Sequence, residues 1–142
     1  MSIIKNKSLE NFTAIDILNS SNLYSPGIHC AYYSSLQLLI HYFYEYCNFT
    51  EEEVDEEIRI KGGSHNFYLS KFVDEIRKLN AVNASKFYSY FSSFKRKRNE
   101  ADYKNIEITP DNLMEAKKKA EKIRKFLNNI CVNGKCENIH YI

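Results

Sequence analysis

The stretch KRKRNEADYKN, Lys95 to Asn105, sets four cations side by side and then offers an Asn, an Asp and a Tyr. An arginine held in a groove fixes a phosphate through its planar fork of donors, and a titratable neighbour can then move a proton. The cations available for such a groove are Lys95, Arg96, Lys97 and Arg98. The plainer alternative is a run of solvated charge, the ordinary state of basic clusters. Helical periodicity separates the four cations. With Phe87 as origin and about 100° per residue, Phe91 falls near about 40°, Phe94 about 340° and Arg98 about 20°. Arg96 lies at about 180° and Lys97 at about 280°. Arg98 thus continues an aromatic stripe while its neighbours turn away. Asp102, four residues on, is within its reach. A partly buried Arg98–Asp102 pair that fixes the helix end therefore stands beside the phosphate-binding reading.

The elements that must position these residues read as helices. Ser8 has the form of an N-cap, followed by Leu9, Phe12, Ile15 and Leu18 at helical spacing. NSSNLYSPG breaks that helix, and Pro26 is placed to open the next. Residues 28–47 are apolar nearly all round, which suits the middle of a bundle. Thr50-x-x-Glu53 is a capping box, and the acids after it complement the helix dipole. Gly62-Gly63 is a break, with Ser64 as the next cap and Leu69, Phe72, Val73, Ile76 and Leu79 as the stripe beyond it. Asn83 precedes Phe87, Tyr90, Phe91 and Phe94 as a cap. Thr109-Pro110 is a strong start for a last helix with Leu113, Ala116, Ala120, Ile123, Leu127 and Ile130 on one seam. The expected fold is all-α, an up-and-down helical bundle of four to six helices with short loops. It forms a single domain over 1–142, with its core at about 8–130 and a tail at 131–142. Asn133-Gly134, inside CVNGKC, is a type I′ turn signal and predicts a short C-terminal hairpin.

Composition agrees. A chain of 142 residues is the size of one domain and can bury a core. Only 4 Gly and 2 Pro leave little room for a turn-rich β fold, while 11 Tyr and 9 Phe point to a core packed with rings. The net charge of +2 hides a bipolar pattern, because EEEVDEE at 51–57 is opposed by KRKR at 95–98 and KKKAEKIRK at 117–125. The N-terminal residues lack the apolar run and small-residue site of a secretory leader. Residues 28–47 carry His29, Gln37, His41 and Glu45, too polar for a membrane span. A cytoplasmic protein without a membrane partner is expected. Cys30 and Cys47 read as small buried hydrophobes, and Cys131 and Cys136 as reduced thiols, although a hairpin would also admit a cross-strand disulfide. A zinc site would need two ligands besides those cysteines, and His140 alone is near, so neither metal nor cofactor is expected.

Three blocks, taken in order, resemble the HEPN family of small helical-bundle proteins. They are SPGIHCAYYSSLQLLIHYFYEY with Ala31, Tyr32 and Tyr33; GGSHNFYLSKFVDEI, where a Ser-His pair opens a helix; and RKRNEADYKNIEITPDNLMEAKKKAEKIRKFL. The resemblance covers roughly residues 8–130. It implies a homodimer. It also implies either a metal-independent ribonuclease or an accessory, nucleic-acid-binding module of a toxin–antitoxin or phage-defence system, in some cases beside a nucleotidyltransferase-type protein partner. Catalytic relatives carry an Arg, a polar residue, and a His about five positions after the Arg. Arg98 and Asn99 match the first two positions, and Tyr103 stands where the His belongs, so the resemblance implies Arg98, Asn99 and Tyr103 as the catalytic positions and Lys95, Arg96, Arg98, Asp102 and His65 as the nucleic-acid-binding ones. A tyrosine titrating near about 10 is a poor general base at neutral pH. His65 or His29 would have to substitute, although His65 also reads as a helix-opening residue bonded to nearby backbone, and His29 and His41 as partly exposed bundle residues. The resulting expectation is a non-catalytic or weakly active dimeric module that binds RNA or a nucleotide-related partner. The alternatives are a ribonuclease using Arg98 and Asn99 at a dimer interface, and a protein–protein module read through the acidic 51–57 face.

Overall fold

The computed structural model describes residues 2–133, which form six helices with no strand among them. These are α1 (Ile3–Ser20), α2 (Tyr24–Tyr46), α3 (Glu51–Lys61), α4 (Ser64–Leu79), α5 (Ala81–Tyr103) and α6 (Pro110–Asn133). The chain is an all-α helical bundle. α2 lies at its centre, packed against α1, α4, α5 and α6. Its sequence explains the position, because a helix apolar all round has no face to give to water. Buried side chains from all six helices join in a continuous core. Among the described residues no helix is long and apolar enough to cross a membrane.

α1 and α2 run antiparallel, with Ser2 beside His41 and Ser8 beside Ser34. Ser8 is not a cap. It is fully buried in mid-helix and donates its hydroxyl to the Ser34 carbonyl at 2.5 Å, a contact that brings the two backbones close. The cap is Ser2, whose side chain accepts from the Lys5 amide. Of the predicted stripe, Ile15 is buried, Phe12 packs against the core and Leu18 is half-buried, while Leu9 is exposed and Ser8 takes the buried position beside it. α2 and α6 run parallel, from Gly27 against Leu113 to Tyr42 Oη donating to Asn128 Oδ1 at 2.7 Å. A Cβ at Gly27 would lie 2.6 Å from Leu113 Cδ1, so a larger residue there would force the buried Leu113 side chain to shift. Phe126 also joins the seam of α6 and stacks on Phe87 with ring centroids 4.6 Å apart.

Other ends follow local chemistry. Thr50 and Glu53 close the reciprocal capping box at α3. Gly62 and Gly63 both take positive φ, at 70° and 72°, a region that a side chain disfavours. Gly63 itself occupies the cap position of α4, and Ser64 is the first helical residue. α4 and α5 are separated only by Asn80, which caps α5 by accepting from the Asn83 amide. Asn83 is thus the third helical residue and not the cap. Leu79, at the end of its stripe, faces solvent because the chain turns there. Thr109 caps α6 as its sequence indicates, accepting from the Asn112 amide at 3.2 Å while Asn112 Oδ1 accepts from the Thr109 amide. Cys131 to Asn133 continue α6 and form no strand. The rest of the predicted hairpin, with Cys136 and His140, lies outside the described residues.

Candidate functional site

α5 runs unbroken to Tyr103, so the rotational placement of Arg98 holds. Arg98 is 5 % exposed, whereas Arg96 and Lys97 lie in solvent. Its Nη1 donates to Asp102 Oδ2 at 3.2 Å, one helical turn on. Its guanidinium carbon lies 5.0 Å from the Tyr32 ring centroid and 5.4 Å from that of Tyr33. Two aromatic faces and one carboxylate thus offset the burial of the charge. Nε is buried and has no hydrogen-bond partner among the described residues. The two tyrosines come from the Ala-Tyr-Tyr stretch at the middle of α2, which the antiparallel packing of α2 and α5 carries to Arg98.

The same packing brings in a histidine. His29 Nδ1 lies 2.9 Å from Asp102 Oδ2, the oxygen that Arg98 also engages. A carboxylate oxygen only accepts, so Nδ1 carries the proton, and in the neutral ring Nε2 holds the lone pair. The His29 side chain is 46 % exposed, and its ring lies against Tyr33 with centroids 4.5 Å apart. His65 comes from the first turn of α4. Its Nδ1 lies 3.1 Å from the Tyr32 hydroxyl. Burial, then Lys95 and Arg98, push the His65 imidazole below its ordinary range. Burial holds the Tyr32 phenol well above its own. Phenol and imidazole are thus both held neutral, and the hydrogen bond between them ties α4 to α2.

The residues expected from sequence divide accordingly. Arg98, Asp102 and His65 gather around Tyr32 and Tyr33, with His29 added by tertiary packing. Lys95 stands at the edge, half-buried, and donates to Asn66 Oδ1 at 3.1 Å. Asn99 is half-buried beside Arg98. Arg96 is on the outer face. Tyr103 is 79 % exposed and about 140° around α5 from Arg98, so within one protomer it does not join the group. His65 does not bond nearby backbone; it spans to α2. His41 is buried rather than partly exposed, because the start of α1 lies over it, with Ser2 Oγ 2.8 Å from Nδ1. Among the described residues, no three His, Cys, Asp or Glu side chains converge as ligands for a metal ion.

The cluster thus gathers a buried cation, a carboxylate it shares with a half-exposed imidazole, and a second imidazole bonded to a phenol. No family model, no curated protein and no solved structure matches this chain.

Proposed function

We propose that this chain is a HEPN-type module that binds single-stranded RNA as a homodimer through the Arg98 end of α5 and cleaves it slowly or not at all. The observation that carries the reading is the enclosure of Arg98 by Tyr32, Tyr33 and Asp102, with Lys95 and Arg96 outside it and the Tyr103 side chain far around the helix. An arginine kept inside an aromatic box, with reachable cations at its rim, is a phosphate-binding arrangement without its usual proton-transfer partner on the same helix. The resemblance in the three sequence blocks supports the family and the setting, a toxin–antitoxin or phage-defence system with a nucleotidyltransferase-type partner. Fluorescence anisotropy with a labelled single-stranded RNA tests it. Binding should weaken as salt rises, because each phosphate contact releases counterions, with a log–log slope of about −0.7 per contact. Arg96→Ala should flatten that slope by about 0.7. Absence of binding, or binding indifferent to salt, removes the RNA reading and favours a module that engages a protein through the exposed acids of α3, Glu51, Glu52, Glu53, Asp55 and Glu56.

A second reading has an observation of its own. The His29–Asp102 contact beside Arg98 supports a metal-independent ribonuclease in which the proton-transfer group comes from α2.

A further inference from the structure

We infer that His29, oriented by Asp102, is the proton-transfer residue of a ribonucleolytic site at Arg98, in the role that residue 103 cannot fill. The inference rests on the ribonuclease reading above and deepens it. Four observations carry it. Asp102 binds His29 Nδ1 at 2.9 Å and so presents the lone pair at Nε2. Nε2 makes no hydrogen bond among the described residues, and nearly half of the side chain meets solvent. The oxygen that orients His29 also binds Arg98, so base and cation are locked to one point. His65, the other imidazole of the cluster, meets the Tyr32 hydroxyl through Nδ1 and, among the described residues, has no carboxylate to orient it. A base within reach of solvent, an orienting carboxylate and an adjacent cation are the parts general-base catalysis needs.

RNA supplies its own nucleophile. His29 Nε2 takes the proton of a 2′-hydroxyl. The 2′ oxygen forms a bond to the adjacent phosphorus as the bond from phosphorus to the 5′ oxygen breaks. The departing 5′ oxygen gains a proton from water, and His29 returns its own to solvent. The products are a 2′,3′-cyclic phosphate and a 5′-hydroxyl, with no oxidant, reductant or added group required. Arg98, and Lys95 at the edge of the cluster, would offset the charge that builds on the phosphoryl oxygens.

The test uses the full chain, a labelled single-stranded RNA and its 2′-deoxy counterpart, with EDTA present throughout. The expected result is slow cleavage of the RNA and none of its 2′-deoxy counterpart. His29→Ala and His29→Asn should each lower the rate by about a hundredfold or more, with RNA affinity within about threefold of the parent. The second variant keeps an N–H donor for Asp102, so a fall in both separates proton transfer from folding. Added imidazole should restore part of the rate of His29→Ala, which no structural role would allow. Tyr103→Phe should cleave as the parent does. RNA binding without cleavage by the parent, unchanged cleavage in the His29 variants, or loss of cleavage in Tyr103→Phe would overturn the assignment of His29 and leave RNA binding standing. Failure of the parent to bind RNA at all would overturn the binding reading itself.

Discussion

Arg96 and Arg98 are two residues apart on one helix and belong to different environments. Arg96 lies in water; Arg98 is enclosed by two tyrosine rings and Asp102. Removing a buried partner leaves an uncompensated charge, so Arg98→Ala should cost about 3 kcal/mol or more. Arg96→Ala and Lys97→Ala should cost under about 0.5 kcal/mol each. Chemical denaturation of the three variants checks this, and equal midpoints would show that the pair is not stabilising. The histidines supply a second expectation. His65 is held below its ordinary range by burial, then by Lys95 and Arg98. His41 is held down by burial, with Glu45 opposing and Lys5 adding to the effect. An unfolded imidazole titrates at about 6.5. Below that pH the unfolded chain binds protons that the folded one refuses, so stability present above it is lost as pH falls. The melting temperature should drop between pH 7.5 and pH 5.5, and the His41→Gln, His65→Gln double variant should drop less. An equal drop in both proteins would mean that other groups govern the acid response.

At the level of helices, close approaches decide more than propensities do. Gly27 lets α2 meet Leu113 of α6, and a methyl there would overlap the leucine at 2.6 Å. Gly27→Ala should therefore destabilise by about 1–3 kcal/mol, the usual effect of overpacking, although alanine is the better helix former. Thr109→Ala should cost about 1 kcal/mol through the lost cap of α6. Thermal melts of both variants test these values, and a Gly27→Ala protein as stable as the parent would show that α6 yields freely at Leu113. These two positions also show what sequence makes legible. Thr109-Pro110, Thr50-x-x-Glu53 and Gly62-Gly63 are local signals, and the helix boundaries they mark are where expected. Ser8 misleads because a mid-helix serine bonded to a neighbouring helix has the same local form as a cap. Asn80 and Asn83 mislead because a cap and its third residue can both be asparagine. The site divides the same way. Arg98 and Asp102 are one turn apart and can be paired by counting, and Tyr32 and Tyr33 stand out as adjacent rings. His29 meets Asp102 across 73 residues of chain, and only the packing of α2 on α5 joins them. Its one sequence signal is a position one turn before Tyr33.

Over the whole molecule, charge and apolar surface are unevenly placed. α3 presents acids to solvent, while the end of α5 and the outer face of α6 present cations. Tyr103 and Ile106, at the end of α5 and in the loop beyond it, are exposed, as is Met114 in the first turns of α6. Apolar residues gathered at one end of a small bundle lose water contact when a second copy covers them. An isologous pairing at that end would bring two Arg98 clusters near each other and place cations from both copies along one RNA path. It would also give Tyr103 a role as a contact residue, consistent with its exposure away from Arg98. Size exclusion with light scattering should then return about twice 16.7 kDa at micromolar concentration. Tyr103→Lys combined with Ile106→Lys should shift the mass to that of one chain, because two added charges oppose their own symmetry mates across the interface. Helix content should be unchanged by circular dichroism, since both side chains lie outside the core. A parent protein that runs as a monomer would remove the homodimer. A double variant that stays dimeric would move the interface elsewhere, and the exposed acids of α3 against the cations of α6 would be the next surface to alter.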